Sequence, residues 1–299
     1  MGHIITDLKE AFRRGNVYIQ LIFINVGVFV ITTLIGILLQ LFNRSAAGIF
    51  ELLALPASFT RFAWQPWSIF TYMFMHAGFL HILFNMLWLY WFGALFLYFF
   101  SGKHLRGLYI VGGICGGLLY MISYNVFPYF RPMTAYSTMV GASASVLAIV
   151  GATAYREPNY PVRLLFFGNV RLKYLALIVV LTDLLFITSS NAGGHIAHLG
   201  GALAGLWFAA SLNKGKDITS WVNKALDAIA ALFSAKTWKR KPKMKVHYGN
   251  NTRQNDYDYN ARKKAQSDEI DRILDKLKKS GYESLTTEEK KSLFDASKR

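Results

Sequence analysis

Acidic residues are nearly absent from the first two thirds of this chain: before residue 213 only Asp7, Glu10, Glu51, Glu157 and Asp183 occur. Only 17% of the 299 residues are charged and 53% are hydrophobic, against about a quarter charged in a typical soluble domain. That balance excludes an ordinary soluble fold and makes a bilayer the implied solvent. Cysteine is equally scarce. Cys115 is the single one; it lies in an apolar run and cannot close an internal disulfide, so an extracellular disulfide scaffold is excluded. No His-Glu-x-x-His motif or carboxylate cluster accompanies the histidines. A channel or transporter metal site built from His76, His81, His195 and His198 is therefore disfavoured, and neither metal nor other cofactor is expected. A cleavable leader is not expected either: residues 1–14 are polar and the apolar run after them is far longer than a signal peptide's, so it reads as a retained span.

The basic excess, a formal net charge of +16, sits in short loops and in the tail. Basic residues flanking membrane spans orient insertion, and no nucleic-acid partner is expected. Apolar runs at about 17–42, 81–100, 105–126, 143–155, 174–189 and 196–212 predict six transmembrane helices in an all-α, polytopic bundle. Lys9, Arg13, Arg14, Lys103, Arg106, Arg156, Arg163, Arg171 and Lys173 mark one side, and only Arg44, Arg61 and Arg131 mark the other. Both termini are thus expected in the cytoplasm. The long outer loop 43–76 carries Trp64 and Trp67, suited to the headgroup layer.

Five regions follow: a cytoplasmic N-terminus (1–16), the membrane domain (17–212), an amphipathic helix with a basic run at the inner surface (213–245), a polar linker (246–266) and a small helical hairpin (267–299). In the hairpin, Gly281 stops one helix, and Thr286 with Glu289 forms a capping box for the next. The hairpin is too small for a substantial core and reads as a docking module for a protein partner.

Polar side chains within apolar spans are costly and call for a role. His81 and Asn85 share a face of the second helix, Ser143 opens the fourth after Gly141, and His198 is expected in the first turn of the sixth. All three helices enter from the outer side, so these groups reach similar depth. Ser143 as nucleophile and His198 as base would suit hydrolysis, with the amides of Ser143 and Ala142, Asn85 and His81 to hold an oxyanion. Asp183 is expected near the middle of the fifth helix, out of reach of His198; a Ser-His dyad follows, with no catalytic role for Asp183. His195 reads as a loop or structural residue and His76 as a loop hydrogen-bonder. His198 shares its face with Gly201 and Gly205, and the fourth helix carries Gly141, Ala144, Ala148 and Gly151; small faces let helices approach closely.

Gly141-Ala142-Ser143-Ala144, His198-Leu199-Gly200-Gly201 with Gly205, His81 to Asn85, and Trp67 to Thr71 together resemble the rhomboid family of intramembrane serine proteases over residues 17–212. The resemblance implies cofactor-free cleavage of single-pass membrane proteins near the outer surface, with access between helices two and five and the loop 190–194 as a cap. The tail resembles a segment found on some bacterial members, which implies a bacterial inner membrane. Ala144 stands where glycine is usual, Leu147 where many members have tyrosine beneath the base, and Ser68 where arginine is common. A catalytically silent rhomboid-like protein that binds membrane helices is the alternative.

Overall fold

A computed structural model describes Phe12 and residues 15–164, 168–232 and 252–297. Lys9, Arg13, Arg14 and the basic run 236–245 lie outside the described residues. The chain divides into two units, Met1–Thr237 and Trp238–Arg299.

The first unit is built on six helices at the expected places: α1 (Val17–Leu41), α5 (Phe79–Phe99), α6 (Gly102–Val126), α7 (Ser143–Arg156), α8 (Leu172–Leu185) and α9 (Ala192–Asn213). Between α1 and α5 run three short helices, α2 (Ala47–Leu53), α3 (Phe59–Trp64) and α4 (Ser68–Thr71). Four of the six main helices, α1, α5, α6 and α9, are long and apolar enough to cross a membrane. Helices α7 and α8 have 14 residues each, short of the roughly 20 a span needs. For α7 the shortness fits its position, since every residue from Ala144 to Ala154 is buried and α5, α6 and α9 surround it. Helix α8 is the opposite case: only Leu172 and Asp183 are buried, and Leu177, Ile178, Leu181 and Leu184 face outward. Helix α1 also turns most of its apolar surface outward and is anchored by Asn25, whose amide donates to the Tyr109 hydroxyl at 3.0 Å.

Helices α7 and α9 touch backbone to backbone. A methyl group at Gly201 would strike the Ala144 carbonyl, and one at Gly205 the Ala148 carbonyl, so the small residues noted in the sequence are required by close approach.

Two short antiparallel ladders were not foreseen. Strand β1 (Leu55–Pro56) pairs with β2 (Thr138–Met139), tying the long first loop to the chain just before α7. Strands β3 (Pro161–Leu164) and β4 (Gly168–Arg171) form a hairpin. Ladders of two to four residues are too short to show an alternating pattern.

Beyond α9, α10 (Ser220–Leu232) is the expected amphipathic helix. Its Val222 and Asn223 are buried, and Arg106 of α6 donates to Asn223 Oδ1 at 3.0 and 2.9 Å. One face of α10 therefore packs on the end of α6, while Trp221, Ile229 and Leu232 stay exposed.

The second unit contains α11 (Thr252–Ser280) and α12 (Thr287–Ser297). The linker expected over 246–266 is corrected from Thr252 onward. That stretch is helical although its described side chains are exposed, because Arg262, Lys263, Lys264, Ala265 and Gln266 favour helix by intrinsic propensity alone. Gly281 turns the chain with φ 78°. The capping box forms as expected, the Thr286 amide donating to Glu289 at 2.9 Å and the Glu289 amide to Thr286 Oγ1 at 3.3 Å. Lys276 adds a 2.8 Å ion pair to Glu289. With Lys276 as the first cause and the Thr286 amide as the second, the Glu289 carboxyl is held down to about 2.

The α7–α9 contact yields a test. Gly205→Val places side-chain atoms against the Ala148 carbonyl, which is backbone and cannot swing away. Stability in a detergent unfolding titration is expected to fall by about 2 kcal/mol or more; wild-type stability would contradict the packing described.

Candidate active site

The site forms where the starts of α5, α7 and α9 meet the end of α8. His81 and Asn85 are one turn apart on α5, and the Asn85 amide donates to the His81 carbonyl at 2.8 Å. That bond uses one of its two N–H groups. The Ala77 amide donates to His81 Nδ1 at 3.4 Å, which leaves Nε2 as the proton-bearing nitrogen of the neutral ring. Nε2 faces Gly141, where an added Cβ would lie 2.9 Å from it and 3.6 Å from Ser143 Oγ. Gly141 has φ +135°, a conformation that side chains resist, and its amide donates to the Tyr72 carbonyl at 2.9 Å. Glycine here serves both the turn and the close approach of His81.

Ser143 is the first residue of α7, so its amide lacks an intrahelical acceptor and sits at the positive end of the helix. Ala142, wholly buried, is the N-cap residue. Ala144, where the family resemblance leads one to expect glycine, packs beneath Gly201.

Ser143, His198, Asn85 and Asp183 all line one cavity of about 300 Å³. Its remaining walls are Phe84 and Trp88 of α5, Val146 and Leu147 of α7, and Ile178, Val179 and Thr182 of α8. The wall is thus apolar except at the end carrying the reactive groups, and it lies between α5 and α8. Among the described residues no hydrogen bond joins Ser143 to His198; in a substrate-free site such a bond is commonly long and tightens on binding.

The structure corrects the expectation for Asp183. Its Oδ1 lies 2.9 Å from His198 Nδ1 and 2.8 Å from His195 Nδ1. The reason is where the helices end. Helix α8 stops at Leu185 rather than near 189, so Asp183 is in its last turn, and α9 starts at Ala192 rather than 196. His195 therefore occupies the first turn of α9 instead of a loop, and His198 the second. The signal was available: the lone acid in the apolar spans is an ionisable group demanding partners, and the short loop 186–191 leaves that end of α8 beside the start of α9.

The same finding shortens the loop expected at 190–194. Residues 192–194 belong to α9 despite Gly193 and Gly194, because Tyr120 packs against Gly193 and the Asn191 side chain against Gly194.

Asp183, His195 and His198 each offer one ligand atom, all within 4.8 Å of one another, and are the group among the described residues suited to a cation. Their 2.8 and 2.9 Å separations are those of charge-assisted hydrogen bonds.

His76 does more than its expected loop role. It is 1% exposed and meets the His81 ring edge to face, centroids 5.1 Å apart, so it backs the ring that faces Gly141. Burial first, and His81 second, push the His76 imidazole from its ordinary 6.5 down to about 4.

Four helices long and apolar enough to cross a membrane, with a serine and a histidine of two closely packed helices lining one apolar cavity, define a polytopic membrane protein with a polar site among its helices. A Rhomboid domain profile matches residues 63–214, half of the chain, and the chain belongs to the rhomboid family. RHOMBOID-like protein 12, mitochondrial, of Arabidopsis thaliana is 29% identical over 158 residues, covering 50% of this chain and 47% of that protein. The chain thus spans about half the length of that relative. Residues 254–299 match a family of unknown function (DUF6576), which corresponds to the second unit; α1 lies outside both matches.

The depressed His76 value has a signed consequence. Between pH 6.5 and about 4 the unfolded chain binds a proton at His76 that the folded chain refuses. Stability is therefore full above the unfolded value and declines as pH falls through that window. Thermal unfolding in detergent is expected to show a smaller acid-side decline for His76→Phe than for wild type; identical pH profiles would remove His76 from the account.

Proposed function

We propose that this protein is an intramembrane serine endopeptidase that cleaves transmembrane segments of single-pass membrane proteins near the outer membrane surface. The observation that carries this reading is the shared cavity: Ser143, His198 and Asn85 converge on one volume, with His81 set against the neighbouring Gly141. Membership of the rhomboid family supports it.

In the proposed reaction the Ser143 hydroxyl oxygen attacks the scissile carbonyl carbon while His198 Nε2 takes its proton. The carbonyl oxygen becomes an oxyanion, accepting from the Ser143 amide, the neighbouring Ala142 amide, the free Asn85 N–H and His81 Nε2–H. Collapse breaks the C–N bond, and His198 returns the proton to the leaving amine. Water then attacks the acyl-serine, again losing its proton to His198, and the Ser143 hydroxyl is restored. The substrate helix is admitted between α5 and α8, the walls of the cavity. Small α8 burial supports that route, because few core contacts hold this helix in place.

The six main helices act as a full six-crossing bundle in this reading, with both termini cytoplasmic in a bacterial inner membrane. The tail serves a protein partner rather than the chemistry, and a truncation near residue 246 is expected to leave proteolysis largely intact.

Labelling by a serine-reactive fluorophosphonate and cleavage of a transmembrane reporter test the reading. Ser143→Ala and His198→Ala are each expected to lower cleavage by about 10³-fold or more while unfolding stability persists, and Ser143→Ala is expected to abolish labelling. A wild-type protein that neither labels nor cleaves would point instead to a silent member that binds membrane helices.

A further inference from the structure

We infer that Asp183 is a positioning residue for the base His198, and that His195 is the brace that holds its carboxylate in place; this rests on the proteolytic reading above. A carboxylate accepts hydrogen bonds and cannot donate. His198 Nδ1 at 2.9 Å and His195 Nδ1 at 2.8 Å from the same Oδ1 must therefore both be N–H donors. For His198 this fixes the tautomer: the proton sits on Nδ1, and the Nε2 lone pair is free for the Ser143 hydroxyl across the cavity both residues line.

Burial gives the arrangement its force. Asp183 is 4% exposed, and a carboxylate so placed among apolar helices is costly unless its oxygen atoms are met by donors. Two imidazoles from the first two turns of α9 meet Oδ1, while Oδ2 is buried without a hydrogen-bond partner among the described residues, so the hold on this carboxylate rests on Oδ1 and on the α9 N-terminus, which favours negative charge. When His198 gains the serine proton, the resulting imidazolium faces this carboxylate directly, so charge developing in the reaction is met by a charge already in place. Leu147, one turn beyond Ser143 in the same cavity wall, offers His198 no polar partner, which leaves the task to Asp183.

His195 has a different role. It donates to Asp183 but does not line the cavity, and the Phe186 ring lies tilted against it at 6.0 Å between centroids. It meets the His198 ring edge to face at 6.1 Å. From that position it prevents Oδ1 from turning away from His198.

The experiment uses the full-length protein in detergent, with reporter cleavage giving kcat and KM and with 15N-histidine spectra giving the tautomer of His198, its signal assigned by loss in His198→Ala. In wild type the His198 proton is expected on Nδ1. Asp183→Asn is expected to lower kcat by about 10²-fold or more with KM and thermal midpoint retained and with the Nδ1–H preference lost. His195→Gln, whose side-chain amide can still donate, is expected to retain more activity than His195→Leu. Wild-type spectra showing the proton on Nε2, or an Asp183→Asn protein with wild-type kcat and tautomer, would overturn the inference. So would loss of activity on chelation with recovery on adding a divalent cation, which would assign the three side chains to a metal. Should Asp183→Asn fail to fold, the wild-type tautomer still decides. Should wild-type protein fail to cleave, the proteolytic reading falls, while the spectra separately report whether Asp183 sets the His198 proton.

Discussion

The close approach of α7 and α9 is the constraint on which the rest of this membrane unit depends. Lipid tails are as apolar as the helix surfaces, so helices in a bilayer gain little from simple hydrophobic contact and associate through packing and hydrogen bonds. Gly201 and Gly205 let the α9 backbone settle onto the carbonyls of Ala144 and Ala148. A larger residue at either position would meet backbone that cannot swing aside, so the helices would have to separate. That contact buries α7 almost completely and sets Ser143 and His198 on the walls of one cavity.

Around this centre, polar groups are satisfied by ties that cross between elements, as an apolar surrounding requires. The Tyr72 hydroxyl donates to the Gly113 carbonyl at 2.6 Å, the Tyr109 hydroxyl to the Met73 carbonyl at 3.0 Å, and the Asn125 amide to the Ala57 carbonyl at 2.8 Å. All three fasten the long loop between α1 and α5 onto α6. Together with the β1–β2 ladder they give Gly141 and Ser143 a rigid approach, since Gly141 itself is bonded to Tyr72. Helix α8 shares none of this reinforcement. Among the described residues its polar attachment to α9 is Asp183, whose Oδ1 meets both His195 and His198.

Much of the architecture was legible because the bilayer imposes a simple rule on sequence. Apolar runs marked the six helices to within a few residues, and small residues at three- and four-residue spacing marked the α7–α9 face. Polar residues inside those runs marked Ser143, His198, His81 and Asn85. The tail was legible in part: Gly281 and the Thr286–Glu289 box carry local signals, whereas the helix from Thr252 carries only propensity and read as linker.

Local composition by itself determined which segments are helical, which faces pack closely and which side chains are chemically exceptional, because each of those depends on residues near one another in the chain. The partnership of Asp183 with His195 and His198 was decided only by tertiary structure. A shift of four residues in the end of α8 and a similar shift in the start of α9 separate an isolated acid from one bonded to both histidines. At the start of α9, Tyr120 of α6 packs against Gly193, a contact between residues far apart in the chain that no local pattern encodes.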